Sequence, residues 1–134
     1  MRRPPAAVLA VDGGNSKADL ALVARDGTLL AAVRGPTISH QQVGMDEGVS
    51  RLERLAAAAA VRAGLRAGDE APLAEIGLYT VAGADFASET RSLGHAFART
   101  GLTARTEVLN DTLAALRAGT DHPFGVVLIC GAGV

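Results

Sequence analysis

The stretch VLAVDGGNSKADLALV, residues 8–23, constrains this chain more than any other. An apolar run over residues 6–11 reaches an acidic residue, Asp12. Gly13, Gly14, Asn15, Ser16 and Lys17 follow, and then a second run alternates apolar and polar. Alternation with period two marks a half-buried strand, and a short bounded apolar run suits a fully buried one. The stretch therefore predicts strand, tight turn, strand, with Asp12 at the tip. Gly13 and Gly14 tolerate positive φ and leave no Cβ to keep an anion off the backbone amides. Asn15, Ser16 and Lys17 add donors to the same turn. A carboxylate beside amides and an ammonium is a donor set for a magnesium-bound phosphate, because the carboxylate faces the metal and the donors face the oxygens. A plain hairpin accounts for the same residues, since Asp-Gly is common hairpin chemistry. This stretch alone leaves both readings open.

The remaining residues surround that turn with an α/β layout. Residues 24–27 read as a turn and residues 28–35 as a third strand, which makes an antiparallel meander. Pro36 breaks the pattern, and residues 36–44, PTISHQQVG, read as a polar loop at the sheet edge, where ligand contacts tend to sit. From Met45 the period changes. Asp46 and Glu47 suit a helix N-terminus, and Val49, Leu52, Leu55, Ala56, Ala59 and Ala63 form one apolar stripe. Arg51, Glu53, Arg54 and Arg62 read as its solvated face. Residues 64–72 turn the chain into a fourth strand, 75–83, followed by a loop carrying Asp85. A second helix is expected over 88–100, with Leu93, Ala96 and Phe97 inward, and a fifth strand over 104–110. That strand delivers Asn110 and Asp111 to the start of a third helix. Residues 122–134, HPFGVVLICGAGV, read as a sixth apolar strand that runs into Gly131 and Gly133. Crossover strands extend the meander into a mixed sheet with helices on its faces.

Composition narrows the function classes. The 134 residues suffice for one domain with a full core, and 49% hydrophobic content argues for an ordered globule. Aromatics are only 3%, so the core is built from small aliphatic side chains. A formal net charge of -1 gives no electrostatic case for nucleic acid or an anionic membrane. The single cysteine, Cys130, excludes an internal disulfide, cannot alone hold zinc or an iron–sulfur cluster, and reads as a buried inert thiol. His95 and His122 read as surface residues. The opening residues form no signal peptide and no run is long enough to span a bilayer, so a cytoplasmic protein is expected.

Three polar turns thus stand at strand ends: Asp12-Gly13-Gly14, Asn110-Asp111 and Gly131-Ala132-Gly133. In that order and spacing they resemble the actin, sugar kinase and chaperone ATPase superfamily, with its ribonuclease-H-like domains. The likeness is strongest to the N-acetylglucosamine kinase branch, which includes the ATPase activators of benzoyl-CoA reductases and 2-hydroxyacyl-CoA dehydratases. VDGGNSKADLALV is similar to that family's first phosphate loop, LNDTLAALRAG to its connecting segment, and VVLICGAGV to its second phosphate loop.

The resemblance implies an ATP-dependent kinase of an amino sugar or related hexose. Its alternatives are an activator ATPase that couples hydrolysis to electron transfer in a partner enzyme, and a non-catalytic sugar-sensing domain. It assigns Asp12 to Mg2+ through water. It places Gly13, Gly14, Asn15, Ser16, Lys17, Gly131, Ala132 and Gly133 against the phosphates of ATP. Asp111 falls on the catalytic aspartate that takes the proton from the attacking hydroxyl, although a helix cap is the simpler role for such a residue. Ser39, His40, Asp85 and Asn110 are candidates for sugar contacts. Two departures stand out. Ala132 replaces the usual threonine, and residues 36–44 lack the asparagine that sugar-binding members carry. The superfamily cleft lies between two domains. Residues 1–121 are therefore expected to form the N-terminal actin-like ATPase domain, and residues 122–134 the first strand and phosphate loop of a second nucleotide-binding domain. These 134 residues alone are expected to be inactive. The expected partners are a small sugar and that second domain, with no nucleic acid or membrane, and a homodimer is allowed.

Overall fold

The computed structural model describes residues 5–65 and 72–131. Three strands form first: β1 (Ala6–Gly13), β2 (Lys17–Val23) and β3 (Leu29–Pro36). A four-residue helix, α1 (His40–Val43), precedes α2 (Met45–Arg62). Then come β4 (Ala74–Val81), α3 (Ala87–Ala98), β5 (Thr103–Asn110) and α4 (Asp111–Gly119). They build one five-stranded sheet in the order β3-β2-β1-β4-β5. β1, β2 and β3 pair antiparallel, whereas β4 runs parallel to β1 and β5 parallel to β4. The expected mixed sheet, a meander extended by crossover strands, is the sheet observed.

Side-chain alternation divides the sheet into two unlike faces. Leu9, Val11, Leu20, Leu22, Tyr79 and Val108 point to one face and are buried there. α2 and α3 cover it with Leu52, Leu55, Ala56, Ala59, Leu93 and Phe97, so the alanine stripe does lie against strands. Tyr79 and Phe97 stack with ring centroids 4.7 Å apart, the one aromatic contact among the described core residues, which are otherwise aliphatic or small. Close packing fixes particular glycines. A Cβ on Gly48 in α2 would sit 2.5 Å from the backbone oxygen of Ile38, and one on Gly77 in β4 would sit 2.6 Å from both Thr103 Oγ1 and Tyr79 Cε2. The other face carries Ala10, Ala21, Ala32, Leu78 and Leu109, and α4 covers only part of it. Leu109 and Leu113 stay 39% and 48% exposed.

The structure departs from the sequence expectation in three places. The loop over 36–44 contains α1, because Ser39 starts a turn in which the amides of Gln42 and Val43 both donate to its carbonyl. Arg51 and Arg62 are not simply solvated: their Nη1 atoms donate to the carbonyls of Thr37 at 3.0 Å and Ala32 at 2.9 Å. The sixth strand does not form over residues 122–131. An apolar run becomes a strand only where a partner takes its backbone groups, and here none is adjacent. Val126 and Leu128 are accordingly 97% and 90% exposed, and Cys130 is exposed rather than buried.

Candidate active site

Parallel strands end together, and that is how this chain gathers its polar turns. β1, β4 and β5 all finish at one edge of the sheet, in Asp12-Gly13, Val81 and Asn110, which is where ligands bind in open α/β sheets. Two cross-links hold the edge. The amide of Ala82 donates to the carbonyl of Gly13 at 2.7 Å, and Thr80 Oγ1 donates to that of Val11 at 2.8 Å. An open cleft of about 1010 Å³ lies over this edge. Asp12, Gly14, Asn15, Ser16, Lys17, Asp85, Asn110, Asp111 and Gly131 line it, along with Asp19, Gln41 and Thr112.

The turn after β1 is closed by the amide of Gly14 donating to the carbonyl of Lys17 at 2.9 Å. Its far side is fixed by Thr37 Oγ1, which donates to the carbonyl of Gly14 at 2.7 Å. Among the described residues the amides of Asn15 and Ser16 enter no hydrogen bond, which leaves them free for an anion. Neither glycine has positive φ, so conformational freedom is not what either supplies. Gly13 is buried outside the cleft, where a Cβ would come within 2.8 Å of Val81 Cγ1. Gly14 has open space, with nothing nearer its would-be Cβ than the Lys17 carbonyl at 3.5 Å.

Charge collects beside that turn. The pKa of Asp12 is raised, first by partial burial, then by Asp19 and by Asp111, with Lys17 opposing. Asp111 thus lies close enough to Asp12 to add to the rise in its pKa. Asp19, the antiparallel partner of Asp12, is held ionised by Arg34, whose Nε and Nη2 reach its two oxygens at 2.6 and 3.0 Å. Asp111 is the first residue of α4 and not its cap. Asn110 caps the helix, its Oδ1 accepting from the Thr112 amide at 3.0 Å. Asn110 Nδ2 also donates to Asp85 Oδ1 at 2.6 Å. The loop carrying Asp85 is tied to α3, since Glu89 Oε2 accepts from the amides of Asp85 and Phe86 at 3.1 Å.

The loop after β3 contributes differently from expectation. Ser39 is 2% exposed and does not line the cleft, and neither does His40. Both turn polar atoms inward, Ser39 Oγ and His40 Nδ1, with no hydrogen-bond partner among the described residues. Gln41 reaches the cleft in their place, packed over Gly83, where a Cβ would come within 2.9 Å of Gln41 Cδ. Gln41 and Asp19 are two lining residues that motif spacing missed, because α1 and the β1–β2 register place them there. Gly131 lines the cleft, whereas Ala132 and Gly133 lie outside the described residues. A second, largely apolar groove on the open sheet face is also lined in part by Asp12 and Asp19.

The donor set fits a hydrated divalent cation better than a protein cage. Among the described residues no three His, Cys, Asp or Glu side chains converge on one metal position. The carboxylate of Asp12 nevertheless stands against Asp19 and Asp111 with Lys17 as the opposing charge, and a cation would relieve that repulsion.

No family model matches the chain, and no curated protein matches it in sequence. Its fold does match that of a solved structure, the putative N-acetylglucosamine kinase of Chromobacterium violaceum, with a TM-score of 0.62 and 24% sequence identity. The match covers 84% of this chain. The fold is ribonuclease-H-like. This chain spans 39% of the length of that protein. Among the described residues no helix is long and apolar enough to cross a membrane.

Proposed function

We propose that this chain is the nucleotide-facing domain of an ATP-dependent kinase acting on an amino sugar or related hexose. One observation carries the reading. Asp12, the free amides of Asn15 and Ser16, Lys17 and Asp111 line a single cleft at the ends of parallel strands. Mg-ATP would supply the electrophilic phosphoryl group. Asp12 would face the water shell of the cation, while the two amides and the Lys17 ammonium face phosphate oxygens. Asp111 would accept the proton of the acceptor hydroxyl as that oxygen attacks. Asp111 suits this task because Asn110 already caps the helix, leaving its carboxylate uncommitted. The likeness of the fold to the Chromobacterium kinase supports the same reading.

The acceptor side follows from which polar atoms remain free. Asp85 keeps one carboxylate oxygen, Gln41 keeps its amide, and both line the cleft beside Asp111. The test is to incubate a protein carrying this domain with Mg-ATP and a panel of hexoses and N-acetylhexosamines, following sugar phosphate. Phosphorylation of one class of sugar is expected. ATP turnover unchanged by every sugar would defeat the proposal.

A further inference from the structure

The two edges of the sheet are finished differently. At β3 the Arg62 guanidinium occupies the outward carbonyl of Ala32, and Arg51 does the same at Thr37 just beyond the strand. Side-chain charges on outward backbone groups are a means of keeping an edge from pairing with another chain. At β5 no described side chain caps the outward backbone groups, although the strand itself carries Arg105 and Glu107. Among the described residues no side chain or backbone group outside the β4–β5 ladder hydrogen-bonds to the main chain of residues 104–109. The strand, TARTEVLN, contains neither proline nor glycine, and α3 and α4 pack on its faces rather than along its edge.

We propose that a second copy of this chain pairs with β5, antiparallel and two-fold symmetric about Thr106. The charges on the strand select that arrangement. Arg105 and Glu107 are both exposed, share one face of the sheet, and enter no ion pair among the described residues. Centring on Thr106 sets Arg105 opposite Glu107 of the second copy, and Glu107 opposite its Arg105. Both contacts of the isologous pair are then attractive. Moving the centre to Arg105 or to Glu107 brings like charges directly opposite. An in-register parallel pair does so at both positions. Ala104 would face Val108 of the other copy, and the flanking Thr106 side chains would meet at the axis.

The pairing would make one continuous ten-stranded sheet and leave both clefts open. Asn110 would lie opposite Leu102 of the second copy, so the two clefts face opposite ends of the interface, about 26 Å apart along the strands. One strand edge per copy is a small interface, so association would be concentration-dependent. None of this depends on the chemistry assigned to the cleft.

The chain is examined by sedimentation velocity over a wide concentration range, with circular dichroism to verify folding. A reversible dimer is expected. Arg105→Glu and Glu107→Arg, each alone, replace two attractions by two repulsions and should weaken dimerisation by about tenfold or more. An equimolar mixture of the two variants should form a heterodimer, and the double variant R105E/E107R should regain wild-type association. Amide hydrogen exchange of residues 104–108 in the wild-type chain should slow as concentration rises, a readout independent of any variant's folding. A wild-type chain that stays monomeric, single reversals that leave dimerisation unchanged, or amides in β5 indifferent to concentration would each overturn the proposal.

Discussion

Asn110 joins two parts of the cleft: its amide nitrogen holds Asp85 Oδ1 at 2.6 Å while its oxygen holds the first turn of α4. The donor on one side and the acceptor on the other make its two substitutions separable. Asn110→Ala removes both contacts and should cost about 1 kcal/mol in urea unfolding, the usual scale of a lost N-cap. Asn110→Asp keeps the cap but sets a second carboxylate against Asp85. It should be destabilised at neutral pH and approach the wild type near about pH 4, where carboxylates take up protons. Equal pH profiles for Asn110→Asp and the wild type would show that the Asp85 contact is not formed in solution.

The position of Asp111 inside α4, with the cap left to Asn110, makes it a clean target. Asp111→Asn should leave the melting temperature within about 2 °C of the wild type, as surface substitutions do. Sugar phosphorylation by a protein carrying the domain should fall by roughly a hundred- to ten-thousand-fold, the contribution of a positioned base. Mg-ATP affinity should survive. Near-normal phosphorylation by the variant would move the base elsewhere, with Asp85 the next candidate.

Asp12 should trade stability for function. Its pKa is raised in the fold by burial and by Asp19 and Asp111. A raised carboxylate pKa means the folded state binds the proton more tightly than the unfolded chain. Its contribution to stability is present below the unfolded value and lost as pH rises through the folded one. Asp12→Asn should therefore melt about 2 °C higher at neutral pH, and the difference should vanish in acid. The same change should weaken Mg-nucleotide binding. Asp19 has the opposite sign: the Arg34 contact lowers its pKa, so its contribution is present above the unfolded value and lost as pH falls. A lower melting temperature for Asp12→Asn at neutral pH would contradict the electrostatics of the cleft.

Gly48 inverts a general expectation. Glycine to alanine inside a helix ordinarily stabilises by about 1 kcal/mol. At Gly48 the new Cβ would meet the Ile38 carbonyl at 2.5 Å, and backbone cannot swing aside as a side-chain end can. Gly48→Ala should cost about 1–3 kcal/mol, the scale of overpacking, in chemical denaturation. A stabilised variant would mean that α2 sits further from the loop after β3.

The meander, the alanine-striped helix and the strands leading to Asp85 and Asn110 were legible in the sequence, because period two and period 3.6 are written locally. The convergence of Asp12 and Asp111 was legible only through motif order, since β4 must lie between their strands for it to happen. The roles of Ser39 and Gln41 were not legible. α1 turns one inward and the other outward, and a four-residue helix leaves no periodic trace. Cys130 was misread for the converse reason: VVLIC has the composition of a buried strand, but composition does not supply the neighbour a strand needs.

Two ladder spacings separate β1 from β5, so the Cα of Asp12 stands about 10 Å from that of Leu109, its counterpart in register across β4. The sheet is in effect a gauge block: backbone hydrogen bonds set the gap across the cleft, which under the proposed reaction a phosphoryl donor and its acceptor would have to bridge. A methyl group at Gly77, pressed 2.6 Å from Thr103 Oγ1 in the next strand, would wedge that block open. Such a lesion would disturb the cleft while every charged residue in it was still present.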